Sequence, residues 1–188
     1  RWIIDPLDGT VNFVHGIPHV CVSVALYDGD VPLVGVVHDP IRDEVFAAVR
    51  GQGTTHNDRP VRVSETAELH RSVIVTGFPY DHDTKAAAYG KIVTAVLAEV
   101  NGIRRLGSAA LDFAWVAAGM FDGYWEYSLG AWDMAAGALL VTEAGGIVTD
   151  GTGGPFTPAT RHFVAANPKL HQQLLDIVEP VLPEHVLG

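Results

Sequence analysis

The chain has 188 residues, 22 acidic against 12 basic side chains, a formal net charge of −10 and 48% hydrophobic residues. That apolar share suffices for a packed core and excludes global disorder, while the negative balance excludes nucleic-acid binding or membrane attachment through a basic face. No stretch approaches the roughly 18 apolar residues of a membrane-spanning helix. The single cysteine, Cys21, lies inside the apolar run VCVSVAL; it permits no intramolecular disulfide and reads as a buried, inert thiol in a cytoplasmic protein.

In chain order, Arg1 to Ile4 is a short apolar run, and Pro6 disfavours helix at Asp5, so a strand is expected to end in a loop at Asp5-Pro6. Leu7-Asp8-Gly9-Thr10 follows as a tight polar turn, with Thr10 opening a short helix through Val14. Residues 19–28 alternate as a strand, Asp28-Gly29-Asp30 signals a hairpin, 32–38 supplies the partner, and Asp39-Pro40 breaks it. Further strands are expected at 44–49, 54–56 and 61–63, with turns at Gly51-Gln52-Gly53 and Asn57-Asp58. Residues 1–70 therefore read as an antiparallel half.

After Ser72 the rhythm becomes strand then helix, the pattern of an α/β layer. Strand 73–77 leads to helix 83–100, strand 102–105 to helix 108–119, and strand 122–127 to helix 131–144, which Gly145-Gly146 closes. Strands 146–149 and 162–166 and an amphipathic helix over 168–179 complete a second half, 71–188. No internal repeat or low-complexity linker is present. Arg1 already stands inside a strand, as in a longer protein whose preceding part is missing.

The strongest chemical feature is D-P-L-D-G-T, residues 5–10, at the end of an apolar strand. Two carboxylates three residues apart converge on one point with the Leu7 carbonyl as a third oxygen, a hard donor set suited to Mg²⁺ or Mn²⁺ and not to zinc. Gly9 lets the backbone approach a ligand, and the Gly9 and Thr10 amides at a helix start suit a phosphate. The local alternative is that Asp5 and Asp8 make Asx turns and Thr10 an N-cap. A second element is Y-W-E-Y-S-L-G-A-W-D, residues 124–133. Glu126 closes a strand and Asp133 sits in the first turn of the next helix, both at the carboxyl edge of the sheet, although a first-turn Asp is also ordinary helix-start chemistry. Gly107-Ser108-Ala109-Ala110 offers another strand-to-helix loop in which Ser108 reads as an N-cap. The D-x-D-G-T motif of haloacid-dehalogenase phosphatases is one residue shorter, so an aspartyl-phosphate mechanism is disfavoured.

Together W-I-I-D-P-L-D-G-T-V-N-F at 2–13, W-D-M-A-A-G-A at 132–138, E-A-G-G at 143–146 and T-G-G-P-F at 152–156 resemble the inositol monophosphatase family, and N-F-V-H-G-I-P with T-G-F-P-Y is similar to its bacterial inositol-1-monophosphatase branch. The resemblance implies a layered αβαβα fold, here without its N-terminal part, and hydrolysis of a small phosphate monoester by metal-activated water. Inositol 1-phosphate is the first substrate implied; histidinol phosphate and fructose 1,6-bisphosphate are the alternatives. It further implies that Asp5, the Leu7 carbonyl, Asp8 and Asp133 hold Mg²⁺. Gly9 and Thr10 would bind phosphate, with Thr10 and Asp5 acting on the attacking water. Asp8, Ala109, Glu126 and Asp133 would bind the alcohol hydroxyls. A lithium-sensitive, cytoplasmic homodimer is implied as well. A Gly-Glu-Glu segment and an acidic residue that the family places upstream are not in this chain.

Other features read as structural. His15 and His19 are separated by Gly16 and Pro18, so no helix aligns them as ligands and packing is expected. Trp2, Trp115, Trp125 and Trp132 are expected in the core, and Arg104-Arg105 at a solvated strand end. The competing function of another class is a non-catalytic regulatory or binding protein that keeps the phosphatase fold.

Overall fold

A computed structural model describes residues 1–79 and 82–182. Strands β1 (Trp2–Asp8), β2 (Cys21–Asp28), β3 (Val31–Asp39), β4 (Glu44–Val49), β5 (Gly53–His56) and β6 (Arg59–Val61) form one antiparallel sheet in chain order, with the short helix α1 (Thr10–Val14) between the first two. Alternation builds it: Cys21, Ser23, Ala25 and Tyr27 of β2 are buried while the residues between them are half-covered.

The remaining elements are β7 (Val73–Thr76), α2 (His82–Glu99), β8 (Gly102–Arg104), α3 (Ala109–Ala117), β9 (Gly123–Tyr127), α4 (Ala131–Glu143), β10 (Ile147–Asp150), β11 (His162–Ala166) and α5 (His171–Val178). The second sheet runs β10-β11-β9-β7-β8, with β7 parallel to β8 and β9 and the other pairs antiparallel. Helices α3 and α4 lie between the sheets. Leu111, Phe113, Met134 and Leu140 pack there with Val37 and Phe46 of the first sheet and Tyr124 and Phe163 of the second. On the far side of the second sheet, Tyr89, Ile92 and Val96 of α2 and Leu174 and Val178 of α5 cover Ile74, Trp125 and Val164. Those spacings of three, four and seven residues are one helical stripe.

The mixed, layered α/β fold is thus the expected one, and the described residues supply four of its layers, sheet, helices, sheet, helices. Polar links fasten α4 to the first sheet: Tyr27 Oη donates to Ala135 O at 3.1 Å and Thr54 Oγ1 to Leu140 O at 2.7 Å. The opposite face of that sheet carries no helix among the described residues, and Trp2 and Ile4 are 63% and 52% exposed there. No helix among the described residues is long and apolar enough to cross a membrane.

Three local expectations need correction. The first strand does not stop at Asp5-Pro6 but runs to Asp8, because β1 is an edge strand, where a proline withholds no needed donor. The strand expected at 61–63 lies at 59–61. Asn57 and Asp58 both take positive φ, 48° and 61°, and this two-residue turn pairs His56 directly with Arg59. The last helix starts at His171, since the Asn167 side chain accepts from the Lys169 and Leu170 amides and holds an Asx turn before it.

Candidate active site

In a regular strand, residues three apart point to opposite faces. Asp5 pairs with Ser23 and Asp8 with Cys21, and the register shifts between them, so Pro6 and Leu7 are the slack that turns both carboxylates to one side. Asp133 arrives from the first turn of α4. One carboxylate oxygen each from Asp5, Asp8 and Asp133 lies within 4.8 Å of the others.

Each of the three is braced. Asp5 Oδ1 accepts from the Leu7 amide at 3.0 Å, and Asp133 Oδ2 from the Gly130 amide at 2.7 Å. Asp8 Oδ2 takes Ser108 Oγ at 2.7 Å, the Ala110 amide at 2.8 Å and Cys21 Sγ at 3.7 Å. Gly9 has φ 84°, and a Cβ there would stand 2.8 Å from His19 O, so no other residue fits between the strand end and α1. The buried Asn12 amide donates to His19 O and Leu106 O, both at 2.8 Å, clamping the 9–14 segment onto the loop before α3.

These residues open onto a cavity of about 400 Å³. Asp5, Leu7, Asp8, Gly9, Thr10, Ala109, Glu126 and Asp133 all line it, so every residue that the family resemblance assigned to metal or substrate reaches one space. Its walls are crowded with like charge. Burial pushes the Glu126 carboxyl up to about 8, against the opposing pull of the Tyr124 phenol, which donates to it, and of Arg105. Burial likewise pushes Asp133 up to about 7, against the Gly130 amide. Asp8 is raised by burial, against its Ser108 and Ala110 bonds. Asp112 behind them is raised well above the carboxylate range, by burial first and then by Glu126 and Asp8. Arg105 is the one basic side chain on the cavity wall among the described residues. A divalent cation held here would supply the missing countercharge, and three carboxylates without a nitrogen or sulfur ligand are a hard-oxygen donor set suited to one.

A model of the inositol monophosphatase family matches residues 1–182. The chain belongs to that family. It is 45% identical over 184 residues to the Nus factor SuhB of Pasteurella multocida, covering 98% of this chain and 69% of that protein. It is 46% identical over 183 residues to the inositol-1-monophosphatase of Rhizobium meliloti, covering 97% and 69%. The inositol monophosphatase structure from Anabaena superposes with a TM-score of 0.91 at 45% identity, over 98% of this chain and 73% of that one.

Within this inositol monophosphatase fold several residues play parts the sequence did not disclose. Ser108 stands at the N-cap of α3 but caps nothing; its hydroxyl goes to Asp8. Trp132 is not core: the second position of α4 faces outward, leaving it 54% exposed on the cavity rim, and Trp2 is exposed on the edge strand. Trp125 is fully buried and Trp115 partly so, as expected. Arg105 faces the cavity and not only solvent. Gly77, in the T-G-F-P-Y motif whose Tyr80 lies outside the described residues, abuts the Glu126 carboxylate. Only the strand-to-helix position of that motif signalled it. His15 is exposed; His19 is buried edge-on to Trp115, and burial lowers its imidazole to about 4, keeping it neutral.

Proposed function

We propose that this protein is a Mg²⁺-dependent phosphoric monoester hydrolase, Mn²⁺ substituting, that converts inositol 1-phosphate or a similar polyol phosphate to the alcohol and phosphate. The observation that carries the reading is the convergence of Asp5, Asp8 and Asp133 on one point of a cavity whose walls hold the remaining polar groups. In it, Asp5, Asp8, Asp133 and the Leu7 carbonyl hold the cations. The Gly9 and Thr10 amides receive phosphate oxygens, and the Thr10 hydroxyl with Asp5 orients the attacking water. Glu126, Asp133, Asp8 and the Ala109 amide accept or donate to the hydroxyls of the alcohol. Bound Mg²⁺ supplies the charge neutralisation that a phosphate dianion and a departing alkoxide need. Attack by water leaves no covalent intermediate. On this reading residues 1–70 are the C-terminal portion of an antiparallel, metal-binding half and 71–188 an α/β half that adds Asp133 to it, in a cytoplasmic, lithium-sensitive homodimer.

The name Nus factor borne by the Pasteurella multocida relative favours a second reading, in which the fold serves as a binding partner in a macromolecular complex without catalysis. Both are tested by assaying phosphate release from inositol 1-phosphate, histidinol phosphate and fructose 1,6-bisphosphate with Mg²⁺, in the wild type and in Asp8→Asn. The hydrolase reading expects metal-dependent turnover, fastest on the polyol monoester and abolished by the substitution. Absence of turnover on all three esters, with complex formation intact in Asp8→Asn, selects the binding reading.

A further inference from the structure

We infer that Ser108 is the positioning residue of the metal-binding carboxylate Asp8, turning one of its oxygens toward the cation; the inference rests on the metal reading above. Asp8 ends the edge strand of one sheet, and Ser108 lies one hundred residues later at the start of a helix packed against the other. Their side chains nevertheless meet at 2.7 Å, in a place where Ser108 is fully buried and Asp8 7% exposed. A serine before a helix ordinarily accepts from that helix's own free amides. Here it makes no such bond, and its proton goes to Asp8 instead.

The consequence is geometric. The Ser108 hydroxyl, the Ala110 amide and the Cys21 thiol all fall on Oδ2. Oδ1, which takes none of these three bonds, is on this inference the oxygen offered to the cation. A carboxylate held at one oxygen has lost its rotational freedom before the cation arrives, so the site is preorganised for it. Cys21, opposite Asp8 in the β1–β2 register, also stands 3.5 Å from Ser108 Oγ.

The test is a Mn²⁺ titration of the intact, metal-stripped protein, with free Mn²⁺ read by electron paramagnetic resonance, in the wild type and in Ser108→Ala. Removal of an outer-shell partner of a metal ligand weakens binding about ten- to a hundredfold. We expect that rise in Kd, a parallel rise in the Mg²⁺ concentration giving half-maximal hydrolysis, and a metal-free melting temperature lower by only a few degrees. An unchanged Kd in Ser108→Ala, beside a wild type that binds Mn²⁺, overturns the inference. So does a weaker Kd that comes with a collapse of the metal-free melting transition, because the serine is then a structural tie. A wild type that binds no Mn²⁺ defeats the metal reading itself, and the inference with it.

Discussion

Replacing Glu126 by glutamine separates the electrostatic cost of this cavity from its architecture. Glu126 is 6% exposed, accepts from the Tyr124 phenol, and is pushed by burial from 4.5 up to about 8 in the metal-free protein. Holding the anion there costs on the order of 5 kcal/mol, from about 1.4 kcal/mol for each pH unit, and relaxation of the walls makes this an upper bound. The folded state binds the proton more tightly than the unfolded chain. Between pH 4.5 and about 8 the folded protein therefore carries more protons, and its stability falls as pH rises through that window. Glutamine keeps an oxygen for Tyr124 and has no proton to lose. In chelator, wild type and Glu126→Gln should melt alike near the acid end and diverge as pH rises. Near pH 9 the variant should melt higher by up to roughly 10–20 °C, at about 2–4 °C per kcal/mol for a chain of this size. Scanning calorimetry across that pH range measures it. A variant melting at or below the wild type at the alkaline end, or a gap independent of pH, refutes the reasoning. The same substitution should raise KM for a polyol phosphate, since an anion that accepts from hydroxyls becomes a neutral amide.

Two further substitutions test the walls. In Gly77→Ala the new methyl meets the Glu126 carboxylate, which must then swing away; KM for inositol 1-phosphate should rise about tenfold, equivalent to about 1.4 kcal/mol, with Mn²⁺ affinity unchanged. Asn12→Ala removes the donors to His19 O and Leu106 O. At about 1–3 kcal/mol for each carbonyl left unpaired, the melting temperature should fall by roughly 4–24 °C, as differential scanning fluorimetry would show.

The parts of this molecule legible in the sequence are those set by local chemistry. Alternation placed the strands, the strand-then-helix rhythm placed α2 to α4, and D-P-L-D-G-T announced a carboxylate cluster because acids and a glycine have no packing reason to end an apolar strand. The parts that were not legible depend on contacts remote in the chain. Pro6 reads as a strand breaker until β1 is known to be an edge. Ser108 reads as a cap until Asp8, one hundred residues away, is known to be beside it. Trp132 reads as core until the first turn of α4 is seen to face the cavity. In each case the local rule is sound, and a tertiary neighbour decides which way it applies.

The acids of the site show why a local and a functional reading need not compete. Each of the three converging carboxylates also has a structural bond to a backbone amide: Asp5 to Leu7, Asp8 to Ala110 and Asp133 to Gly130. The first is the Asx turn and the last the helix-start bond that the bland reading expects. A carboxylate has two oxygens, and using one on the fold aims the other. The local motif is thus the mounting for the ligand, and the energy of a turn or a cap also pays for its orientation. Asparagine preserves one acceptor oxygen and removes the charge, so at any of the three positions it retains the mounting while disabling the site.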